Sequence, residues 1–186
     1  MSKKTVLLAV GSFRKNSFNQ VVSDYIAEVL KEEGANVEFL DYRNVPLLEQ
    51  DTEFPTPKEV ISAKDQMRKA DALWVVSPEY NGSYPAVVKN LLDWLSRPEK
   101  LLDYTTPTVI AGKPATVSGI AGSTGAKFVR ENLSTLLGYI RMNPMPGTGV
   151  GLSVPAEAWQ TGVLTLSDEQ KNALKKQVKE FLEYIK

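Results

Sequence analysis

Thr5-Val6-Leu7-Leu8-Ala9-Val10-Gly11-Ser12-Phe13-Arg14-Lys15-Asn16-Ser17-Phe18-Asn19-Gln20 is the stretch whose reading decides the fold. An unbroken apolar, β-prone run ends at a glycine, and a polar turn follows. Val21, Val22, Tyr25, Ile26, Val29 and Leu30 then recur at helical spacing as far as Gly34. A continuous apolar strand, rather than an alternating one, suits a sheet covered on both faces. Ser17-Phe18-Asn19-Gln20 has the form of a capping box, so the helix should begin just after Ser17. The unit is strand, loop, helix.

The same alternation continues outward. Val37 to Leu40 reads as a second strand, followed by a proline-containing loop from Asp41 to Pro55. Thr56-Pro57-Lys58-Glu59 should cap a helix, with proline at its first position, that lasts to about Lys69. Ala72 to Ser77 is a third strand, and Ser77-Pro78-Glu79-Tyr80-Asn81-Gly82-Ser83-Tyr84-Pro85 leads into a helix from Pro85 to Ser96. Pro114 to Ser118 is expected as strand four, with a small-residue loop, Ser118 to Gly125, and a helix from Lys127 to Leu137 after it. A short fifth strand should lie within Met142 to Val154, where prolines and glycines blur the pattern. A last helix opens on the capping box Ser167-Asp168-Glu169-Gln170 and buries Leu174, Val178, Phe181, Leu182 and Ile185. No internal repeat or linker-like segment interrupts the chain, so residues 1–186 should form a single domain. Five such units fit an α/β, doubly wound, three-layer sandwich around a parallel sheet. The flavodoxin-like strand order 2-1-3-4-5 is favoured, and it puts both polar motifs at the switch point between strands one and three, where open α/β sheets bind ligands.

Composition narrows the chemistry. Lys plus Arg and Asp plus Glu are both 22 in 186 residues, so no net field favours nucleic acid or a cationic partner. Cysteine and histidine are both absent, which removes zinc sites, thiol nucleophiles, Ser-His-Asp triads and imidazole acid–base catalysis together. Chemistry must come from a cofactor or from oxygen and amine groups. Met1-Ser2-Lys3-Lys4 has the charge of a signal-peptide start, but Thr5 to Val10 is too short for the apolar region and runs into Arg14-Lys15. No run approaches the roughly 18 apolar residues of a membrane span. A soluble cytoplasmic protein is expected.

The first loop carries neither G-x-G-x-x-G nor G-x-x-x-x-G-K-[ST], so it is neither a Rossmann fingerprint nor a Walker loop. Ser12, Ser17 and Asn19 can donate side-chain hydrogen bonds, and Arg14 charge-assisted ones. The helix start adds free N–H groups and the positive end of its dipole. These suit one terminal phosphate. Helix capping alone would account for Ser17 and Asn19 but leaves Ser12 and Arg14 unexplained. The second loop combines proline, asparagine, glycine and two tyrosines, and can hold a planar heterocycle. Taken by itself it reads more readily as a tight turn with Ser83 capping the next helix.

Taken together, G-S-F-R-K-x-S-F-N after strand one and P-E-Y-N-G-S-x-P-x-x-x-K-N-x-x-D-W after strand three resemble the NADPH-dependent FMN reductase family, which includes quinone, chromate and azo-dye reductases. The resemblance covers roughly Val6 to Leu137. It implies a flavodoxin-like fold, noncovalent FMN, and NADPH or NADH as co-substrate. Ser12, Arg14, Ser17, Phe18 and Asn19 would hold the FMN phosphate, with Pro78, Glu79, Tyr80, Asn81 and Gly82 along the isoalloxazine ring and Ser118 and Gly119 at its far edge. Hydride would enter and leave at flavin N5 in a ping-pong cycle with a small-molecule acceptor such as a quinone, and no side-chain acid or base is needed. A flavodoxin-type electron carrier or a flavin-linked sensor without turnover are the alternatives. The balanced charge and Arg14 disfavour the carrier.

The family forms dimers or dimers of dimers. Val87, Val88, Leu91, Leu92, Trp94 and Leu95 make the helix after the second motif apolar over a wider stripe than one sheet face requires. That width points to a homodimer through this helix.

Overall fold

Strand β1 (Thr5–Val10) is buried from Val6 onward, as its uninterrupted apolar run requires. In the computed structural model, which describes residues 3–186, it pairs in parallel with β2 (Asn36–Phe39) on one side and β3 (Ala72–Ser77) on the other. Met1 and Ser2, the start of the basic opening stretch, lie outside the described residues. Strand β4 (Pro114–Ala121) follows β3, so the order is β2-β1-β3-β4 with the remaining strands beyond it. This is the flavodoxin-like order expected.

Two cores sandwich the sheet. Val6, Leu8, Trp74, Val76 and Ile120 pack under helices α1 (Phe18–Glu32) and α6 (Asp168–Tyr184). Leu7, Ala9, Leu73, Val75 and Val117 pack under α2 (Lys58–Lys69), α3 (Ala86–Leu95) and α4 (Lys127–Tyr139). The period-two alternation of strand side chains sorts each strand's residues between the two. Trp74 meets Phe181 edge-on at 5.3 Å, joining the sheet to α6.

Three sequence expectations are corrected. The expected fifth strand is two short ones, β5 (Asn143–Pro144) and β6 (Val150–Ser153), both paired with β4. Pro144 and Pro146 lack N–H donors, and Gly147 and Gly149 have φ of 90° and 66°, so the chain leaves the ladder between them. A short helix α5 (Ala156–Thr161) was not anticipated. Finally, β4 runs to Ala121 instead of stopping at Ser118, so Gly119, Ile120 and Ala121 are sheet, not loop.

The capping signals divide. Ser167 and Gln170 form the reciprocal box at α6. At α1 and α2 no side-chain cap forms, and α2 begins after Pro57 rather than at it. Pro85, not Ser83, occupies the N-cap of α3. The wide stripe of α3 is also absorbed within the chain: Val88, Leu91, Leu92, Trp94 and Leu95 are all at most 2 % exposed. Its breadth reflects contact with the loop from Pro46 as well as the sheet, because Trp94 Nε1 and Asn90 Nδ2 each donate to the Pro46 carbonyl at 2.8 Å. Val87, at the start of the stripe, is the one member left partly exposed. Among the described residues no helix is long and apolar enough to cross a membrane.

Candidate functional site

The two motif loops leave neighbouring strands on the same level of the carboxyl edge, since Val10 is paired with Val76. Gly11 is where they meet. A Cβ there would lie 2.9 Å from Val88 Cγ2, 3.0 Å from Ser77 Oγ and 3.2 Å from Pro78 Cδ, so only glycine lets the loops and α3 close together.

On the first loop, Ser12 is half-buried and its Oγ accepts from the backbone N–H of Arg14 at 3.4 Å. Asn16, in the left-handed region at φ 57°, turns the chain so that its carbonyl accepts from Arg14 Nη2 at 3.0 Å. The Arg14 guanidinium lies 4.6 Å from the Phe18 ring centroid, and Phe18 in turn meets Trp159 of α5 edge-on at 5.6 Å. Ser17 is buried at the N-cap of α1, yet its hydroxyl caps no first-turn N–H, and that turn contains no acidic residue. Arg14 and Lys15 form no ion pair among the described residues. The result is an uncompensated helix N-terminus facing exposed cations, the electrostatics an anion needs.

Asn19 does something else. Buried to 4 % exposure, its Oδ1 accepts from Ile120 N at 3.3 Å and its Nδ2 donates to Ile120 O at 3.4 Å. The side-chain amide thus replaces the strand that β4 would otherwise lack beyond Ser77. In this arrangement the amide holds α1 against the sheet.

The second loop is an Asn-Gly hairpin turn. Tyr80 and Ser83 exchange backbone hydrogen bonds at 2.9 and 3.0 Å around Asn81 (φ 50°) and Gly82 (φ 72°), the type I′ pattern that this dipeptide favours. Gly82 has no neighbour within 4 Å of a would-be Cβ, so its positive φ, not close approach, requires glycine. Sequence reasoning missed the turn type although the dipeptide announces it.

Glu79 is engaged in fixing the site. Its carboxylate accepts from Thr124 Oγ1 at 2.7 Å and from the backbone N–H of Val129 at 3.0 Å, capping α4, which has no side-chain cap of its own. Asn132 Nδ2 adds a bond to the Gly82 carbonyl at 3.0 Å. The second loop and the turn before α4 are therefore one rigid unit. Pro78 is buried at its base, and Tyr80 projects from it, 55 % exposed.

The last two expected residues sit lower. Ser118 is 1 % exposed, accepting from Trp74 Nε1 at 3.0 Å and donating to Gln177 Oε1 at 2.8 Å. A Cβ on Gly119 would stand 2.5 Å from the Ser77 carbonyl oxygen and 2.8 Å from Ala126 Cβ. Both lie within β4, Ser118 where the strand was expected to end and Gly119 one residue beyond.

A roomy cleft, about 660 Å³, lies between the ends of α3 and α4 and is lined by Asp103, Tyr104, Tyr139 and Arg141. Size does not mark the site here. That cleft gathers no motif residue, and Asp103 is occupied by Thr105 and Thr106 of its own loop.

The model of one protein family, NADPH-dependent FMN reductase, matches residues 4–155. The chain belongs to that family. It is accordingly an oxidoreductase that works with FMN and NAD(P)H. Relatives include a 2-hydroxy-1,4-benzoquinone reductase from a Burkholderia species, 33 % identical over 136 residues that cover 73 % of this chain and 70 % of that one. A quinone reductase from Escherichia coli K12 is 31 % identical over 153 residues, covering 77 % and 76 %. The structure is similar to that of FerB, a flavoenzyme NAD(P)H:(acceptor) oxidoreductase from Paracoccus denitrificans, with a TM-score of 0.84 and 30 % identity over 98 % of this chain and 97 % of that one.

Proposed function

We propose that this chain is an NAD(P)H:quinone oxidoreductase of the cytoplasm, holding FMN across the carboxyl ends of β1, β3 and β4. The observation behind this reading is the uncapped, acid-free first turn of α1 beside the unpaired Arg14. Ser12, Arg14, Ser17 and the first-turn N–H groups of α1 take the phosphate, whose charge of about −2 they complement. Phe18 buttresses Arg14, and Asn19 keeps α1 in place through Ile120. Bound FMN supplies a carrier that accepts a hydride from the nicotinamide and passes the electron pair to the acceptor.

The protein's own part is rigid placement. The Pro78 to Gly82 segment lines the ring, with Glu79 acting through Thr124 and Val129 instead of touching it. Backbone N–H groups of this segment and of the Gly122 to Gly125 turn would supply fixed dipoles to the bound ring, apart from those of Tyr80 and Gly125, which are engaged within their own turns. Ser118 and Gly119 act from within the sheet by supporting that turn. A homodimer completes the reading, not through the buried stripe of α3 but around the exposed Tyr80 and Phe128 on either side of the contact between Glu79 and α4.

The test is steady-state turnover of the yellow, FMN-loaded protein with NADPH or NADH and a soluble benzoquinone. Parallel double-reciprocal lines are expected, because donor and acceptor use one site in turn. A flavin that stays oxidised under excess NADPH and NADH, yet takes single electrons from a reductase protein, would replace this reading with an electron carrier.

A further inference from the structure

Arg43, just after β2, reaches back to the first loop at Phe13. Its guanidinium lies 4.6 Å from the Phe13 ring centroid, its Nη2 donates to the Phe13 carbonyl at 3.2 Å, and it forms no ion pair among the described residues. Phe13 is itself held by Tyr42, ring to ring at 4.9 Å, and the Tyr42 hydroxyl donates to the Val10 carbonyl at 2.5 Å. The side chain is thus ordered in advance. A stacked guanidinium loses little freedom when it takes up a phosphate bidentately.

Two observations make Arg43 surplus to the flavin. Arg14, Lys15 and the α1 N-terminus already match one phosphate monoester of about −2 charge. Arg43 also lines a cleft of about 150 Å³ between the first loop and the end of β2, which borders the phosphate loop at Ser12 and extends away from it past Gln20 to Asp41. That volume admits a phosphate with part of a ribose, not a whole adenosine. A second cleft of about 260 Å³ continues past Asp41 and Tyr42 toward Val45 and Lys58, with room for a purine.

We propose that this pair of clefts is the subsite for the adenosine half of the nicotinamide dinucleotide, with Arg43 on one of its phosphates. The inference rests on the function proposed above. Asp41 is the one carboxylate among the residues lining the smaller cleft, and suits a ribose hydroxyl beside the phosphate that Arg43 holds.

The test uses FMN-loaded protein titrated calorimetrically with 2′,5′-ADP and with ADP, for the natural chain, Arg43→Ala and Arg43→Lys, alongside the FMN affinity of each. Arg43→Ala should weaken 2′,5′-ADP by roughly tenfold or more, with Arg43→Lys between, while FMN affinity stays within about twofold. Weakening of 2′,5′-ADP alone supports the proposal and assigns Arg43 to the 2′-phosphate; equal weakening of ADP supports it and assigns the 5′ side. Unchanged binding of both fragments by Arg43→Ala, no binding of either by the natural chain, or loss of FMN affinity in step with the fragments overturns it. A natural chain that binds no FMN rejects the proposed function itself, and the subsite with it.

Discussion

The side-chain amide of Asn19 satisfies both backbone polar groups of Ile120, 101 residues away, from inside the core. A bond pair of this kind fastens the N-terminus of α1 to the level of β4 on which the third turn is mounted. It separates two classes of site residue: those that face the ligand and those that hold the frame.

The proposed function puts Arg14 in the first class. Arg14→Ala should lower FMN affinity by roughly ten- to a hundredfold, the effect of a charge-assisted bond, while riboflavin is nearly indifferent. Fluorescence titration with both flavins measures this. Equal losses would show that the phosphate lies elsewhere.

Asn19 belongs to the second. Asn19→Ala strands a buried N–H and a buried C=O, for a destabilisation of about 2 to 4 kcal/mol and a Tm lowered by several degrees. FMN and riboflavin should weaken together. A variant that melts like the natural chain but loses only FMN would return Asn19 to the phosphate.

Burial pushes the Tyr42 hydroxyl well above its usual pKa, with the nearby Arg43 charge opposing the shift only in part. In the unfolded chain a tyrosine ionises near pH 10, so above about that pH the unfolded state binds fewer protons than the folded one and stability falls as pH rises. The contribution is present in full below about pH 10 and is lost above it. Tyr42→Phe should therefore cost about 1 kcal/mol at neutral pH, for the bond to Val10, and the gap to the natural chain should narrow at strongly alkaline pH. Urea unfolding across that range reads it directly.

Glycines offer a graded comparison. Gly149 at φ 66° would place a Cβ 1.8 Å from the Val117 carbonyl oxygen and 2.7 Å from Gln177 Nε2, so Gly149→Ala must move backbone and should cost more than about 3 kcal/mol. Gly82→Ala meets nothing and pays only its backbone conformation, about 1 kcal/mol. Thermal melts should rank them in that order, and only Gly82→Ala should stay folded enough to show weakened binding of both flavins.

Light scattering of the FMN-loaded protein should give twice the mass of one chain. Charged substitutions at Tyr80 and Phe128 should shift it toward the monomer, whereas a monomer in the natural chain rejects the proposed assembly.

Most of the sheet was legible because its strands are continuous apolar runs and its helices are periodic. Failures came where a residue has two physical uses. Gly119 read as a loop glycine, but it stands in a strand because Ser77 and Ala126 press on it. The split of the last strand was hidden among prolines and glycines that mark turns as readily as edges. Helix α5 carried signals, Pro155 before it and Gly162 in the left-handed region after it, yet six residues are too few for a periodic stripe. At the site, the polar and cationic residues of the first loop stood out by chemistry and spacing. The bonds from Glu79 to Val129 and Asn19 to Ile120 were not, since pairings 50 and 101 residues apart leave no local trace.

The interrupted strand pair on the outer side of β4 also governs how the molecule behaves in a crowd. An unbroken border strand presents a row of free N–H and C=O groups on which another chain can grow, the usual opening for aggregation. Here that border is cut into a two-residue and a four-residue piece, with Pro144 and Pro146 at the gap and Arg130 closing over it through the Thr148 and Gly149 carbonyls. At the other border β2 is four residues long, with Asn36 and Glu38 exposed. Neither rim offers a template long enough to recruit a foreign strand, so at high concentration this sheet should resist zipping edge to edge with its neighbours.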